Sequence, residues 1–119
     1  MDLEVWKKSR ALRNKISELG KSFPSEEKCR LTDQIIRSSR SIGNNIAEGH
    51  SRFHYLDASK FLINARGSAT ETIDHLVIAL VEGYITIEIF DQLKEDCEEC
   101  QKMVNGYINY LRNQSGSKN

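Results

Sequence analysis

The last third of the chain carries the clearest structural signal, because apolar side chains recur there at alternating steps of three and four residues. This spacing places them in one stripe along an α-helix, which completes a turn every 3.6 residues. Three earlier segments repeat the pattern with more small and polar members. Four such stripes must be buried against one another, which favours a helical bundle. The stripe of the last segment is Phe90, Leu93, Cys97, Cys100, Val104, Tyr107 and Leu111.

Glycine and proline mark the ends of the first two predicted helices. The first helix should end near Gly20, because Pro24 disfavours helical backbone at the residue before it. The second should begin after Pro24, with Ser25 as its N-cap, and end by Gly49. A glycine inside this helix, Gly43, should weaken or bend it.

The third helix is predicted from about Tyr55 to Glu82, and the fourth follows an N-cap at Thr86. A rival interpretation exists just before the fourth helix. Isoleucines alternate there with polar residues, as they would in a β-strand, but no second strand is evident to pair with it. We therefore expect a loop that leads into the helix. The alternating residues are Ile85, Ile87 and Ile89.

These segments predict an all-α fold, an up-down-up-down antiparallel four-helix bundle over residues 1–112. The polar residues 113–119 are expected to form a disordered tail. A single proline and seven scattered glycines in 119 residues disfavour an all-β fold, which needs frequent turns. The longest strongly apolar run, Leu76 to Val81, is too short for a membrane helix, and the first residues lack the apolar core of a signal peptide. A cytoplasmic protein is expected.

The sequence offers little for catalysis or metal binding. Cys97 and Cys100 form one CxxC motif, but structural zinc normally needs four ligands, and acidic residues beside the motif oppose a reactive thiolate. Both cysteines lie on the core stripe, so we expect buried, unreactive thiols. Glu71 and His75 are four residues apart, one step out of the Glu-x-x-His register of di-iron bundles. We expect a protein that is not an enzyme, with no metal, cofactor or small-molecule substrate.

Polar residues follow the second helix at intervals of seven, beside its buried isoleucines. If they are buried, they must be hydrogen-bonded, and partners on the third helix are expected. Two interpretations are open: a structural network that fixes helix register, which we favour, and a ligand pocket. The predicted network consists of Gln34, Ser41, Asn45 and Glu48 on the second helix with Ser68 and Glu71 on the third.

Charge is divided unevenly along the chain although the formal net charge is zero. Residues 1–66 carry a net charge of +5 and residues 67–119 carry −5. Because the first two helices are neighbours in the bundle, the molecule should have a cationic and an anionic side. The cationic side is a candidate for phosphate contacts with RNA or another nucleic acid. The predicted contacts are Lys7, Lys8, Arg10, Arg13, Lys15, Arg37 and Arg40.

The same charge division suits an alternative function. The cationic side of one subunit could meet the anionic side of the next, giving a heterologous contact that closes into a ring when the rotation permits. Exposed ion pairs contribute little, so apolar burial would have to hold such a ring together. The protein would then be a structural oligomer or an adaptor for a protein partner, without nucleic-acid binding.

One stretch of the second helix is distinctive: Asn45-Ile46-Ala47-Glu48-Gly49, inside the longer segment Ser41–Gly49. It resembles the bacterial four-helix-bundle proteins encoded within intervening sequences of large-subunit ribosomal RNA genes, and it is the most specific part of that similarity. Phe23–Glu27, Leu31–Gln34 and Phe61–Ser68, followed by Glu71, extend the similarity over nearly the whole chain. The chain departs from the family at Gly43, where proline is usual, and at Ser38-Ser39, where many relatives have alanines.

The resemblance implies a helical bundle that assembles as a homo-oligomer, and a five-membered ring is known among relatives. A related fold serves as an accessory protein to the reverse transcriptases of diversity-generating retroelements and binds nucleic acid. The family's tie to ribosomal RNA rests on where its genes lie, which indicates no mechanism.

Overall fold

The computed structural model describes residues 3–116, which form four α-helices and contain no β-strand. Helix α1 spans Glu4–Gly20, α2 spans Leu31–Ser51, α3 spans Tyr55–Val81 and α4 spans Ile87–Gly116. A short 3-10 turn, Ser25–Glu27, lies between α1 and α2. The predicted all-α fold is confirmed.

Each helix packs against the next, and α4 closes the bundle against α1. The α2–α3 seam is the most extensive of the four and the α1–α4 seam the least. The molecule measures 54 × 25 × 21 Å, and a 30-residue helix such as α4 is about 45 Å long at 1.5 Å per residue. The bundle is therefore a closed arrangement of four rods around a single core.

The core follows the stripes read from the sequence. In α4, the four central members of the stripe are fully buried, whereas Phe90, Tyr107 and Leu111 near its ends are half-buried. Small residues of α3 allow the neighbouring helices to approach closely. The buried positions of α3 are Ala58, Ser59, Leu62, Ala65, Ser68, Ala69, Thr72, Leu76 and Ala79.

Helix α2 begins later than predicted. The chain after Pro24 makes only one 3-10 turn, and Arg30 has φ −120° and ψ −108°, so helical backbone restarts at Leu31, which is buried. Ser25 therefore does not cap α2. The helix then runs unbroken through Gly43, where an added Cβ would lie 3.0 Å from Ser9 Oγ of α1. The glycine lets α1 and α2 approach each other at this point.

The turn between α3 and α4 matches the expected loop. Gly83 has φ +78°, a conformation that residues with a side chain rarely adopt. Thr86 caps α4, because the Ile89 amide donates a hydrogen bond to Thr86 Oγ1 over 3.2 Å. Only Ile85 of the three alternating isoleucines is buried, whereas a strand would turn all three to one face.

Helix α4 continues to Gly116, so the first four residues of the predicted tail are helical. No glycine or proline interrupts the chain between Gly106 and Gly116. Polar residues are tolerated at exposed helix positions, so the backbone hydrogen bonding of the helix can continue through them. Residues 117–119 lie outside the described part of the chain. Helix α1 ends at Gly20, as predicted.

Candidate nucleic-acid interface

The seven predicted cationic contacts do not share one surface of the bundle. Lys8 and Lys15 lie at the α1–α4 seam, where their ammonium groups donate hydrogen bonds to the two oxygens of Asp96 over 3.1 and 3.0 Å. Lys8 also lies 3.2 Å from Glu99 Oε2. The Asp96 side chain is only 12% exposed, so the three groups form a partly buried ion-pair cluster. These two lysines therefore stabilise the fold.

The pKa of Asp96 reflects this arrangement. Burial by itself would raise the pKa of the carboxyl group, but the hydrogen bonds from Lys15 and Lys8 outweigh burial and hold the pKa below its usual range. Burial by itself would lower the pKa of Lys8. The hydrogen bonds of Lys8 to Asp96 and Glu99 outweigh burial, so the pKa of Lys8 is raised. Both shifts favour the charged forms that hold α1 against α4.

Three of the four arginines belong to a different surface. Gly43 of α2 faces Ser9 and Trp6 of α1, and Gly20 of α1 faces Thr32 and Ile36 of α2. Residues four positions apart on a helix lie one turn apart on the same side. Arg10 follows Trp6 by four positions, Arg13 follows Ser9, and Arg40 follows Ile36, so these arginines lie beside the contacts between α1 and α2. Arg37 lies on the other side of α2, where it lines the shallow groove toward α3 with Gln34 and Glu71. We call the remaining three the arginine groove: Arg10, Arg13 and Arg40.

The arginine groove is lightly neutralised. Arg37, outside the groove, lies 3.8 Å from Asp33, but both side chains are mainly exposed, so that pair is weak. The Arg10 guanidinium lies over the Trp6 ring, 5.7 Å from its centroid. Within residues 3–116, Arg13 and Arg40 form no ion pair. The seventh predicted contact, Lys7, is half exposed and lies 3.4 Å from Glu4.

The predicted polar network forms between α2 and α3, with a different membership. Ser41 and Ser68 share a hydrogen bond of 2.8 Å, and Asn45 Nδ2 donates to Ser41 Oγ over 3.0 Å. A second buried link joins Ser38 to Thr72 over 2.9 Å. These hydroxyl groups are satisfied by one another, as a register-fixing network requires.

Three predicted members of the network lie outside it. Glu48 is exposed and pairs with Arg52 over 3.2 Å. Gln34 and Glu71 are exposed and line a shallow groove beside the network. The 3.6-residue period places all of them on one side of α2 or α3, but it does not distinguish the buried centre of a seam from its edge.

Within residues 3–116, His75 of α3 is the one side chain with buried polar atoms that lack a hydrogen-bond partner. Its side chain is 12% exposed, and neither ring nitrogen makes a hydrogen bond with the described residues. Glu71 Oε1 lies 3.8 Å from Nε2, beyond hydrogen-bond distance. No group of three or more metal-ligating side chains occurs in the described part of the chain.

The cysteines are buried as the α4 stripe predicted. Burial raises the pKa of the Cys97 thiol to about 12 and that of Cys100 to about 11. Both groups are therefore held as neutral thiols at physiological pH, and thiolate is the form that ligates metals or attacks disulfides. Cys29 is exposed, near the start of α2.

The sequence analysis did not single out an aromatic cluster at one end of the bundle. It forms where α2 ends, α3 begins and α4 runs past both. Half-buried rings, those of Phe61 and Tyr55, lie beside Arg52 and Arg112 there. The sequence does contain a sign of this cluster, because aromatic residues, histidines and an arginine follow one another between the second and third helices. The rings that complete the cluster come from α4, more than fifty residues further along the chain. The rings belong to His50, Phe53, His54, Tyr55, Phe61, Tyr107 and Tyr110.

No helix within residues 3–116 is long and apolar enough to cross a membrane. The fold defines a class of protein, the four-helix bundles.

The comparisons place the chain within a family of that class. A family profile described as 23S rRNA-intervening sequence protein matches residues 1–106, and the chain belongs to this family. A crystal structure of a protein of unknown function from the S23 ribosomal protein family of Bacteroides thetaiotaomicron is similar, with 31% sequence identity and a TM-score of 0.82. The match covers 88% of this chain and 95% of that one. The comparison with curated proteins finds no match.

Proposed function

We propose that this protein is a self-associating helical bundle that binds RNA or another nucleic acid through the arginine groove. The observation that carries the proposal is a contrast between the two sides of α1. On the side that faces α4, the lysines are bound by Asp96. On the side that faces α2, Arg13 of α1 and Arg40 of α2 form no ion pair within the described residues. Guanidinium groups bind phosphate through paired hydrogen bonds.

The expected binding mode is phosphate contact with little sequence preference. Such contacts release counterions, so affinity should fall steeply as salt rises. The anionic side of the molecule, formed mainly by exposed glutamates of α4, would face away from the nucleic acid. Lys7 and Arg10 would extend the contact along the groove, whereas Arg37 lies on the α3 side of α2. Lys8 and Lys15 contribute to it only as long-range charge.

A titration of labelled RNA at several salt concentrations tests the groove. Reversing two charges, Arg13→Glu with Arg40→Glu, should weaken binding strongly and flatten the slope of log Kd against log salt by roughly two. The matched control, Lys94→Glu with Lys102→Glu on α4, makes the same change in net charge on a different helix. Equal losses in the two double variants would show a general charge effect and reject the groove.

Self-association has support from apolar residues that the bundle leaves exposed near the turn between α3 and α4. Val81 is 77% exposed and Ile87 is 51% exposed, with Val77 and Ile78 beside them. Exposed aliphatic side chains gathered in one place are typical of a protein interface. The same patch favours the second candidate function, a structural oligomer or protein adaptor that binds no nucleic acid.

Light scattering separates these functions. Val81→Asp should reduce the particle mass if the patch joins subunits, and it should do so without RNA. If Arg13→Glu with Arg40→Glu also reduces the particle mass, the groove is used between subunits and the adaptor function gains. An unchanged mass together with lost RNA binding supports nucleic-acid recognition.

A further inference from the structure

The end of the bundle formed by the carboxyl end of α2, the start of α3 and the last turns of α4 carries exposed aromatic rings beside cationic groups. Phe53 is 94% exposed and Tyr110 is 56% exposed. Large aromatic side chains are normally among the most buried, so a phenylalanine ring almost wholly in solvent needs a reason. We name this region the aromatic end, defined by His50, Phe53, Tyr55, Tyr107 and Tyr110 with Arg52 and Arg112.

The rings of α4 are ordered relative to one another. Tyr107 and Tyr110 lie with ring centroids 6.5 Å apart and planes 23° from parallel. His50 of α2 shares a hydrogen bond of 2.8 Å between Nδ1 and the Tyr107 hydroxyl. This bond fixes the inner ring, while the outer ring of Tyr110 remains exposed. The arrangement is a ready-made surface on which a further planar group can stack.

Cationic groups flank these rings. The Arg112 Nε donates a hydrogen bond to the Tyr55 hydroxyl over 3.3 Å, and the Arg52 guanidinium lies over the Phe61 ring, 4.6 Å from its centroid. Glu48 is the acidic group paired with Arg52. One guanidinium group thus lies on an aromatic face and the other is bonded to a tyrosine hydroxyl, and each has donors left over for a phosphate oxygen.

A cleft of about 250 Å³ opens at this end between the α2–α3 turn and α4. Its volume is below the roughly 300–1,000 Å³ typical of pockets that enclose a small organic ligand. The cleft suits a single planar group inserted from a longer molecule. Its walls include Arg52, Phe53, Tyr55 and Leu111.

We propose that the aromatic end binds unpaired nucleotides of single-stranded RNA, with bases stacked on Phe53 and Tyr110 and phosphates near Arg52 and Arg112. Exposed aromatic rings interleaved with arginine are the elements by which proteins hold single strands, because every base has a face that can stack. One aliphatic side chain, Leu56, is also exposed at this end, to 77%. The guanidinium groups of Arg52 and Arg112 beside the rings favour a partner that carries phosphate over an apolar protein surface. The inference uses no residue of the arginine groove.

The test uses the full-length chain and a fluorescein-labelled decauridylate, followed by fluorescence anisotropy. Base–aromatic stacking is worth about 1–3 kcal/mol per base, so Phe53→Ala and Tyr110→Ala should each weaken binding about fivefold or more. Phe53→Tyr should retain affinity and Phe53→Leu should lose it, because the ring and not its hydrophobicity is needed. Ile89→Ala, an exposed apolar position at the start of α4 and at the other end of the bundle, is the control and should bind like the wild type.

The salt dependence distinguishes this site from the arginine groove. Phe53→Ala should lower affinity at every salt concentration without changing the slope, whereas Arg13→Glu with Arg40→Glu should change the slope. Duplex RNA of the same length should compete less well than the single strand. The proposal is overturned if Phe53→Leu binds like the wild type, if the duplex competes equally, or if the wild type does not bind the decauridylate. A fall in particle mass on Phe53→Ala with unchanged affinity would also overturn it, since the ring would then join copies of the chain.

Discussion

The two seams of α1 carry similar positive charge and use it differently. At the α1–α4 seam, Lys8 and Lys15 converge on one buried carboxylate. At the α1–α2 seam, Arg13 and Arg40 meet no carboxylate of the described chain, and small residues such as Gly43 bring the helices together instead. Net charge per helix therefore says little about which cations are free to bind a partner. What decides it is the identity of the residue across the seam.

The most damaging change should be Asp96→Lys. It would place a third ammonium group between Lys8 and Lys15 in a partly buried site, and unpaired charges in such sites cost about 3–5 kcal/mol of unfolding free energy. A thermal or urea unfolding curve measures the loss. The control is Glu98→Lys, two residues along α4 and exposed, which should leave the midpoint near that of the wild type. Equal stability of the two variants would mean that the cluster does not hold the seam.

Lowering the pH should gradually remove the stabilisation that the ion pairs of Asp96 provide. Because the folded-state pKa of Asp96 lies below its unfolded value, the ion pairs stabilise the protein above the unfolded value, and this stability is lost as pH falls through the folded value. Urea unfolding from about pH 7 downward should show the wild type and Asp96→Asn converging at low pH. A constant gap between the two curves at all pH values would contradict the assignment.

His75→Leu should raise stability, by about 1 kcal/mol. Two buried ring nitrogens without hydrogen bonds cost free energy, and an apolar side chain of similar size removes that cost. Thermal unfolding measures the shift, and His54→Leu, an exposed histidine near the start of α3, provides the comparison. A lower midpoint for His75→Leu would show that the imidazole makes a stabilising contact in the native protein.

The smallest effect on stability is expected at the arginine groove. Arg13→Ala and Arg40→Ala remove no ion pair of the described chain, so each should change the unfolding free energy by about 0.5 kcal/mol or less. Lys8→Ala, on the other seam of the same helix, should cost more because Asp96 loses a partner. If Arg13→Ala is as destabilising as Lys8→Ala, the arginine belongs to the fold and the contrast between the seams disappears.

The sequence predicts the helices and most of the core, since the spacing of apolar residues encodes the buried face directly. It also places Ser41, Asn45 and Ser68 on facing sides of α2 and α3. The partners of Lys8 and Lys15 could not be read from the sequence, because Asp96 lies 88 and 81 residues away and only the packing of α4 on α1 brings them together. The late start of α2 and the aromatic end likewise depend on contacts between distant segments.

The most direct test is residue-resolved NMR of the side-chain N–H groups during an RNA titration. The account predicts salt-sensitive shifts of the Arg13 and Arg40 Nε–Hε signals, with the ammonium signals of Lys8 and Lys15 unmoved in their bonds to Asp96. Shifts confined to the two lysines, with the arginine signals unchanged, would contradict it.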